Sequence, residues 1–277
     1  MSVIFQVNDR DAYAYGGGKA FDSALPTVVF IHGAQNDHSV WGLQSRWFAH
    51  HGYGVLALDL PGHGRSAGPA LASVEAMADW LLALLDAAGV RRALLAGHSM
   101  GSLVALEASL RAPRRVRALA MLGTTWPMKV SDALLATARD DEVAAIDMVN
   151  IWSHAGIAPK PSSPGPGFSL LGGSRRLMQR MSAINPDALF HTDFAACNAY
   201  ANGGAAAGAV RCPTLFIFGA RDVMTPPRST KALTGAIAHG KVVTVDAGHA
   251  LMAEQPDAVL DALVAFAGTL NEEEARQ

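Results

Sequence analysis

The sequence predicts an α/β fold, a mostly parallel central sheet with helices on both faces. Short runs that are apolar at every position recur along the chain, as strands covered on two sides require. Longer stretches with helical periodicity separate them, which makes the sheet parallel. Size agrees: 277 residues, 50% hydrophobic and 17% charged, suit one large α/β domain or a core carrying an insertion.

Residues 3–7 and 13–15 read as an opening antiparallel pair. Buried strands follow at 28–31, 55–58, 93–96, 119–122, 215–218 and 242–245. Helix punctuation lies between them. Ser73 is placed to cap a helix whose apolar positions run Val74, Met77, Trp80, Leu81, Leu84, Leu85 and Ala88. Gly89 can take the left-handed conformation that ends it. Pro256 opens a last helix with the stripe Val259, Leu260, Leu263, Val264 and Phe266. From about 124 to 209 the alternation stops. Helical patterns fill this stretch, with the turn-rich loop Pro161-Ser162-Ser163-Pro164-Gly165-Pro166-Gly167. The sequence therefore predicts a core of residues 1–123 and 210–277 and a helical cap, 124–209. The cap belongs over the carboxyl ends of the strands, where open α/β sheets bind ligands.

Charge excludes some functions. With 22 Lys+Arg against 24 Asp+Glu, the formal net charge is −2. No general attraction to nucleic acid or an anionic membrane follows from that. Cys197 and Cys212 form no disulfide framework and no metal-ligand spacing. The opening residues lack the basic and apolar regions of a secretory signal, and no apolar run approaches the ~20 residues that span a bilayer. A cytoplasmic protein is expected.

Chemistry concentrates at the strand ends. Gly97-His98-Ser99-Met100-Gly101 stands directly between a strand and a helix, the context of a nucleophile elbow. The two glycines remove the collisions that so sharp a turn would cause, and Ser99 then projects its hydroxyl beside a helix N-terminus. A serine hydroxyl needs a base, and the base needs an orienting group. His249 follows the last strand and Asp222 the strand before it, so Ser99, Asp222 and His249 occur in the order this arrangement expects. Asp246 and Glu254 are rivals for the acid, being nearer His249 in sequence. Ala34, after Phe30-Ile31-His32-Gly33, and Met100 are placed to supply oxyanion-hole N–H groups. His32 reads as a histidine that fixes its loop, with a catalytic role and a place in the substrate pocket as the alternatives. Asp59-Leu60-Pro61-Gly62-His63-Gly64-Arg65-Ser66 reads as a tight structural loop.

Taken together, His32-Gly33, the 59–66 loop, the 97–101 elbow, Gly219-Ala220-Arg221-Asp222 and Gly248-His249 resemble the α/β-hydrolase superfamily. The set is similar to small capped bacterial hydrolases: carboxylesterases, carrier-protein methyl esterases, carbon–carbon bond hydrolases and cofactor-free haloperoxidases. The resemblance covers about 1–123 and 210–277. It implies the α/β-hydrolase fold and a triad of Ser99, Asp222 and His249. Relatives with aspartate at the elbow are dehalogenases and epoxide hydrolases; Ser99 argues against those chemistries here. Ser102 stands where many relatives carry a second glycine. No nucleotide loop or zinc pattern is present, so neither a cofactor nor a metal is expected.

The expected activity is hydrolysis of a small-to-medium carboxylic ester, with a small-molecule ester as the partner. Alternatives on the same triad are carbon–carbon bond hydrolysis, perhydrolysis and hydrolysis of acyl-carrier methyl esters. A non-catalytic receptor is a further alternative. In the cap, Trp126, Met128, Trp152, Met178 and Met181 are candidates for an apolar pocket, although burial of the cap helices also explains such residues. Arg175, Arg176 and Arg180 form either a dock for an acidic partner or a solvated helix face. The 161–167 loop is a candidate hinge.

Overall fold

The computed structural model describes residues 1–156, 169–185 and 188–275. Among them, eight strands form one sheet: β1 (Ser2–Val7), β2 (Arg10–Tyr15), β3 (Thr27–Ile31), β4 (Gly54–Leu58), β5 (Ala93–His98), β6 (Val116–Leu122), β7 (Thr214–Gly219) and β8 (Lys241–Val245). Their order is β1-β2-β4-β3-β5-β6-β7-β8. From β4 through β8 the neighbours pair in parallel, while β2 is antiparallel to both β1 and β4.

The helices are α1 (Gly42–His50), α2 (Val74–Ala87), α3 (Met100–Arg111), α4 (Asp132–Asp140), α5 (Glu142–Ser153), α6 (Leu170–Ile184), α7 (Leu189–Ala199), α8 (Gly203–Ala209), α9 (Lys231–Ala236), α10 (Leu251–Glu254) and α11 (Pro256–Ala275). Successive side chains of a strand point to opposite faces, and in β3 this divides the core. Val28 and Phe30 join Phe48 of α1 and Leu263 of α11. Val29 and Ile31 join Leu81 of α2 and Leu103 of α3. The chain ahead of α2 folds as its residues dictate: the Ser73 side chain accepts from the Ala76 N–H, and Gly89, just past the helix, has φ +66°.

One strand departs from the sequence reading. The run 242–245 looks buried on both faces, yet β8 is the sheet edge and Val242 is 53% exposed. Helix α11 covers one of its faces through Val243 and Val245; on the other, Val242 and Thr244 are exposed. Alternating burial, not a continuous apolar run, is what an edge strand needs, and composition alone does not separate the two.

Between β6 and β7 the described residues hold five helices, α4 to α8, and no strand. Ser131, Asp141 and Ser169 cap α4, α5 and α6 by accepting from the N–H groups of Leu134, Ala144 and Gly172. Leu134, Ile146, Val149, Met178, Phe190 and Phe194 form an apolar cluster of their own. The stretch is not uniform, however. Ala196, Cys197, Tyr200, Ala206 and Ala207 pack into the main core beside α3, so α8 and the end of α7 belong to the helix layer under the sheet. The loop at 161–167 lies outside the described residues. No helix among those described is long and apolar enough to cross a membrane.

Candidate active site

The carboxyl ends of β3, β5, β6, β7 and β8 converge on one place. Ser99 follows β5 at φ +51°, ψ −120°, a backbone region that a serine occupies only where its surroundings enforce it. The surroundings do so. Its N–H donates to Leu122 O at 2.9 Å. A Cβ on Gly97 would sit 2.2 Å from Gly101 O, and one on Gly101 would sit 2.4 Å from Ile31 O. Only glycine fits either position. Ser102 Oγ lies 2.6 Å from Ser99 O and 2.7 Å from Thr124 Oγ1, so this side chain ties the start of α3 to the segment that follows β6.

His249 Nδ1 is 2.8 Å from Asp222 Oδ2, and both side chains are buried. Asp222 is held on every side. Its Oδ1 accepts the N–H groups of Met224 and Thr225, each at 2.8 Å. Thr225 Oγ1 donates to Oδ2 at 2.7 Å. Burial alone would raise this carboxyl, but the facing His249 ring and the Thr225 donors outweigh it and hold it well below the usual carboxylate range. The rivals lie elsewhere. Asp246 is exposed and pairs with Arg221. Glu254 is 3% exposed, with Oε1 accepting from Gly248 N–H at 3.0 Å and Oε2 from Ala155 N–H at 2.9 Å. It thereby fastens the His249 loop to the end of α5, a role that no local sequence signal announces. Ala250 N–H adds a bond to Ser153 O at 2.8 Å.

His98 and His32 are neutral struts. Burial, aided by the neighbouring His249, pushes His98 down to about 3; its Nε2–H donates to His249 O at 2.9 Å. Burial, with His63 nearby, pushes His32 down to about 4. His32 Nδ1 donates to Gly33 O at 2.8 Å, and its Nε2 accepts from Leu60 N–H at 3.1 Å. The loop carrying Gly33 and Ala34 is thus braced against the loop after β4. The N–H groups of Ala34 and Met100 donate to no protein group among the described residues.

The same loop is braced from above. Gln35 N–H donates to Asp193 Oδ2 on α7 at 2.8 Å, and His63 Nε2 donates to that oxygen at 2.9 Å. Burial alone would lower His63, but the Asp193 carboxylate overrides it and raises the ring. Gln35 Nε2 also donates to Met178 O and Ser182 Oγ of α6.

Two cavities of about 390 Å³ each meet at the site, sharing Ala34, Ser99, Phe194, Met224 and His249 as walls. The α6 lobe adds Val149, His154, Leu170, Leu177 and Met178. The α4 lobe adds Met128, Val130, Leu134, Trp152 and Cys197. Burial raises the Cys197 thiol, which keeps it protonated. Of the residues expected in a pocket, Met128, Met178 and Trp152 face these lobes. The other three do not. His32 is wholly buried as a loop brace. Trp126 packs over α8, where a Cβ on Gly203 would touch its ring. Met181 is wholly buried, its Sδ 3.3 Å from Gly64 N. An apolar residue in a helical stretch shows from sequence that it is buried, not what it is buried against. Arg175 pairs with Asp147 and Arg180 with Asp37, while Arg176 is bonded to Gly172 O; Arg176 and Arg180 are both exposed.

Among the described residues one cluster, Asp37, His38 and Asp59, is close enough to share a metal ion. Its donors are already committed: Asp59 accepts from His38 and from the His38 and Arg65 N–H groups, and Asp37 from Ser39 and Arg180.

A single sheet between two helix layers, with a serine elbow at β5 and an Asp–His pair after β7 and β8, is an α/β-hydrolase architecture. The chain belongs to the alpha/beta hydrolase family, whose model it matches over residues 28–262. It is 39% identical over 139 residues to the dihydrolipoyllysine-residue acetyltransferase component of the acetoin cleaving system of Cupriavidus necator, covering 48% of this chain and 34% of that protein. It is 32% identical over 120 residues to the (E)-2-((N-methylformamido)methylene)succinate hydrolase of Acinetobacter baylyi, covering 43% of each. These matches span less than half of either relative. A solved thermophilic esterase shares the fold at a TM-score of 0.79 and 23% identity, over 98% of both chains.

Proposed function

We propose that the chain is a serine hydrolase that cleaves a small-to-medium carboxylic ester through an acyl-enzyme on Ser99. One observation carries the reading: a buried Asp222 carboxylate grips His249 Nδ1 at 2.8 Å, and that histidine faces the same cavity as a serine held at positive φ. With Nδ1–H committed to Asp222, the neutral ring keeps its lone pair on Nε2, as a general base needs. His249 takes the Ser99 proton during attack on the acyl carbonyl and returns it to the leaving alcohol. Asp222, kept ionised, stabilises the imidazolium that forms between.

The unpaired N–H groups of Ala34 and Met100 receive the oxyanion, each worth ~2.7–4 kcal/mol in the transition state. Water then attacks the acyl-enzyme by the same path in reverse roles. Helices α4 to α6 and the first turns of α7 serve as the cap that excludes bulk solvent. These steps draw on the Ser99, His249 and Asp222 side chains, the Ala34 and Met100 N–H groups and water. The hydrolase named in Acinetobacter baylyi supports the reaction class.

Turnover of p-nitrophenyl acetate and butyrate tests it. Wild type should hydrolyse both, and Ser99→Ala should retain less than about a thousandth of the rate. A fluorophosphonate should label Ser99 in the wild type. Equal rates in the two proteins would remove the mechanism.

A further inference from the structure

Of the walls that the two lobes share, Ala34, Ser99 and His249 carry the proposed chemistry. Phe194 and Met224 do not, yet each borders both lobes. A residue that walls two adjoining rooms stands between them. Both residues are held in place. Met224 N–H donates to Asp222 Oδ1 at 2.8 Å, and its Sδ lies 3.1 Å from Ser153 Oγ at the end of α5. The Met224 side chain therefore reaches from the Asp222 loop to α5. There Trp152 walls the α4 lobe and Ser153 the α6 lobe. Phe194 is stacked on the buried Phe190, with ring centroids 4.6 Å apart.

The position of this divide matters for an ester. The carbonyl carbon attacked by Ser99 sits where the lobes meet, and it bears two substituents, the acyl chain and the alkoxy oxygen. Two rooms of about 390 Å³ each offer one to either arm. Away from the junction their walls are largely hydrocarbon: Leu170, Leu177 and Met178 in one, Met128, Val130 and Leu134 in the other. At the junction itself a substrate shares space with Phe194 and Met224.

We infer that Phe194 and Met224 are the specificity-determining partition of the site, dividing it into an acyl room and an alcohol room. The substrate class they select is an ester with two hydrocarbon arms, both unbranched at the carbon beside the ester group. This deepens the ester-hydrolase reading and rests on it. A methyl ester leaves one room unfilled, whereas each methylene that enters it removes apolar surface from water and strengthens binding. A branch beside the ester presses on the partition, and packed side chains yield to added volume only at a cost.

Two ester families, each with one arm fixed, test it by kcat/KM. The acyl family is p-nitrophenyl acetate, butyrate and 2-ethylbutyrate; the alcohol family is methyl, n-butyl and sec-butyl butyrate. In wild type the longer straight arm should be favoured about tenfold over the shorter in both families. Met224→Ala opens the partition, so the straight-to-branched ratio should fall about tenfold from its wild-type value in at least one family. Met224→Leu, of similar volume, should keep that ratio within about twofold. Leu177→Trp fills the α6 lobe and Val130→Trp the α4 lobe. Each should erase the preference for the longer arm in one family and spare it in the other. Ratios are taken within each enzyme, so a general loss of rate does not blur them. If Met224→Ala fails to fold, Met224→Val decides; if one tryptophan variant fails, the other decides by acting on one family or on both. An unchanged straight-to-branched ratio on opening the partition overturns it, as does wild type that gains from only one longer arm. So does one tryptophan acting on both families, or both acting on the same one. Each of these leaves the hydrolase reading standing. Wild type that turns over none of the esters overturns the hydrolase reading and the partition with it.

Discussion

At the strand ends, geometry admits one residue type per position: a Cβ on Gly97 or Gly101 would collide with backbone, and Ser99 sits at φ +51°. In the helical segment above, Leu134, Ile146, Val149, Phe190 and Phe194 fill a cluster that other apolar residues of similar volume could fill. Backbone constraint leaves a mark in sequence, because glycine and turn residues are forced. Apolar packing leaves only a periodicity. The strand-end loops are thus specified locally, and the helical segment above them is specified by contacts across the chain.

Asp222→Asn tests the rigid side of this contrast with the largest effect. It leaves the shape and disturbs the His249 tautomer, so ester kcat should fall about 10³–10⁴-fold with little change in melting temperature. Next comes Gly101→Ala, whose new Cβ lies 2.4 Å from Ile31 O and 2.5 Å from His32 O. Activity should fall at least about a hundredfold and stability by roughly 1–3 kcal/mol, read by kinetics and urea melts. If Gly101→Ala is harmless, the contrast breaks.

Smaller effects probe where the two regions are tied. Glu254→Gln keeps one acceptor oxygen but turns an NH₂ toward either Gly248 or Ala155 N–H. We expect a loss of about 1–3 kcal/mol, faster hydrogen exchange at 155 and 248, and a roughly tenfold fall in kcat from a loosened His249 loop. The His63–Asp193 pair gives the smallest signal, a slope. Asp193 raises His63 above its ordinary 6.5, so the folded chain holds this proton more tightly than the unfolded one. The pair's stabilisation is full below that ordinary value and is lost as pH rises through the raised one. Wild-type melting temperature should therefore fall more steeply from about pH 7 to 9 than that of His63→Gln; parallel slopes would show that the pair does not couple to folding.

Particular residues show how far the sequence reads. The Ser73 cap, the turn at Gly89 and the strand ends carrying Ser99, Asp222 and His249 were legible because each is a short-range pattern. Met181 was not, since helical spacing shows burial without its partner, nor was Trp126, which lies in the loop after β6 and finds its partner on α8. Asp193 bonds His63 and Gln35, 130 and 158 residues away, and nothing near it in sequence marks that. The boundary of the helical segment is hidden for the same reason: α7 changes allegiance within one helix, Phe194 facing the upper cluster and Ala196 the main core.

Two lobes that meet at Ser99 also give the proposed reaction an order in space. While the acyl group stays bonded to the serine in one lobe, the departing alcohol empties the other. The incoming water then has a vacated room of about 390 Å³ from which to approach, with His249 on its wall. A bulky alcohol slow to leave its lobe would keep that room from the water and delay the second half of the cycle even when the first is fast.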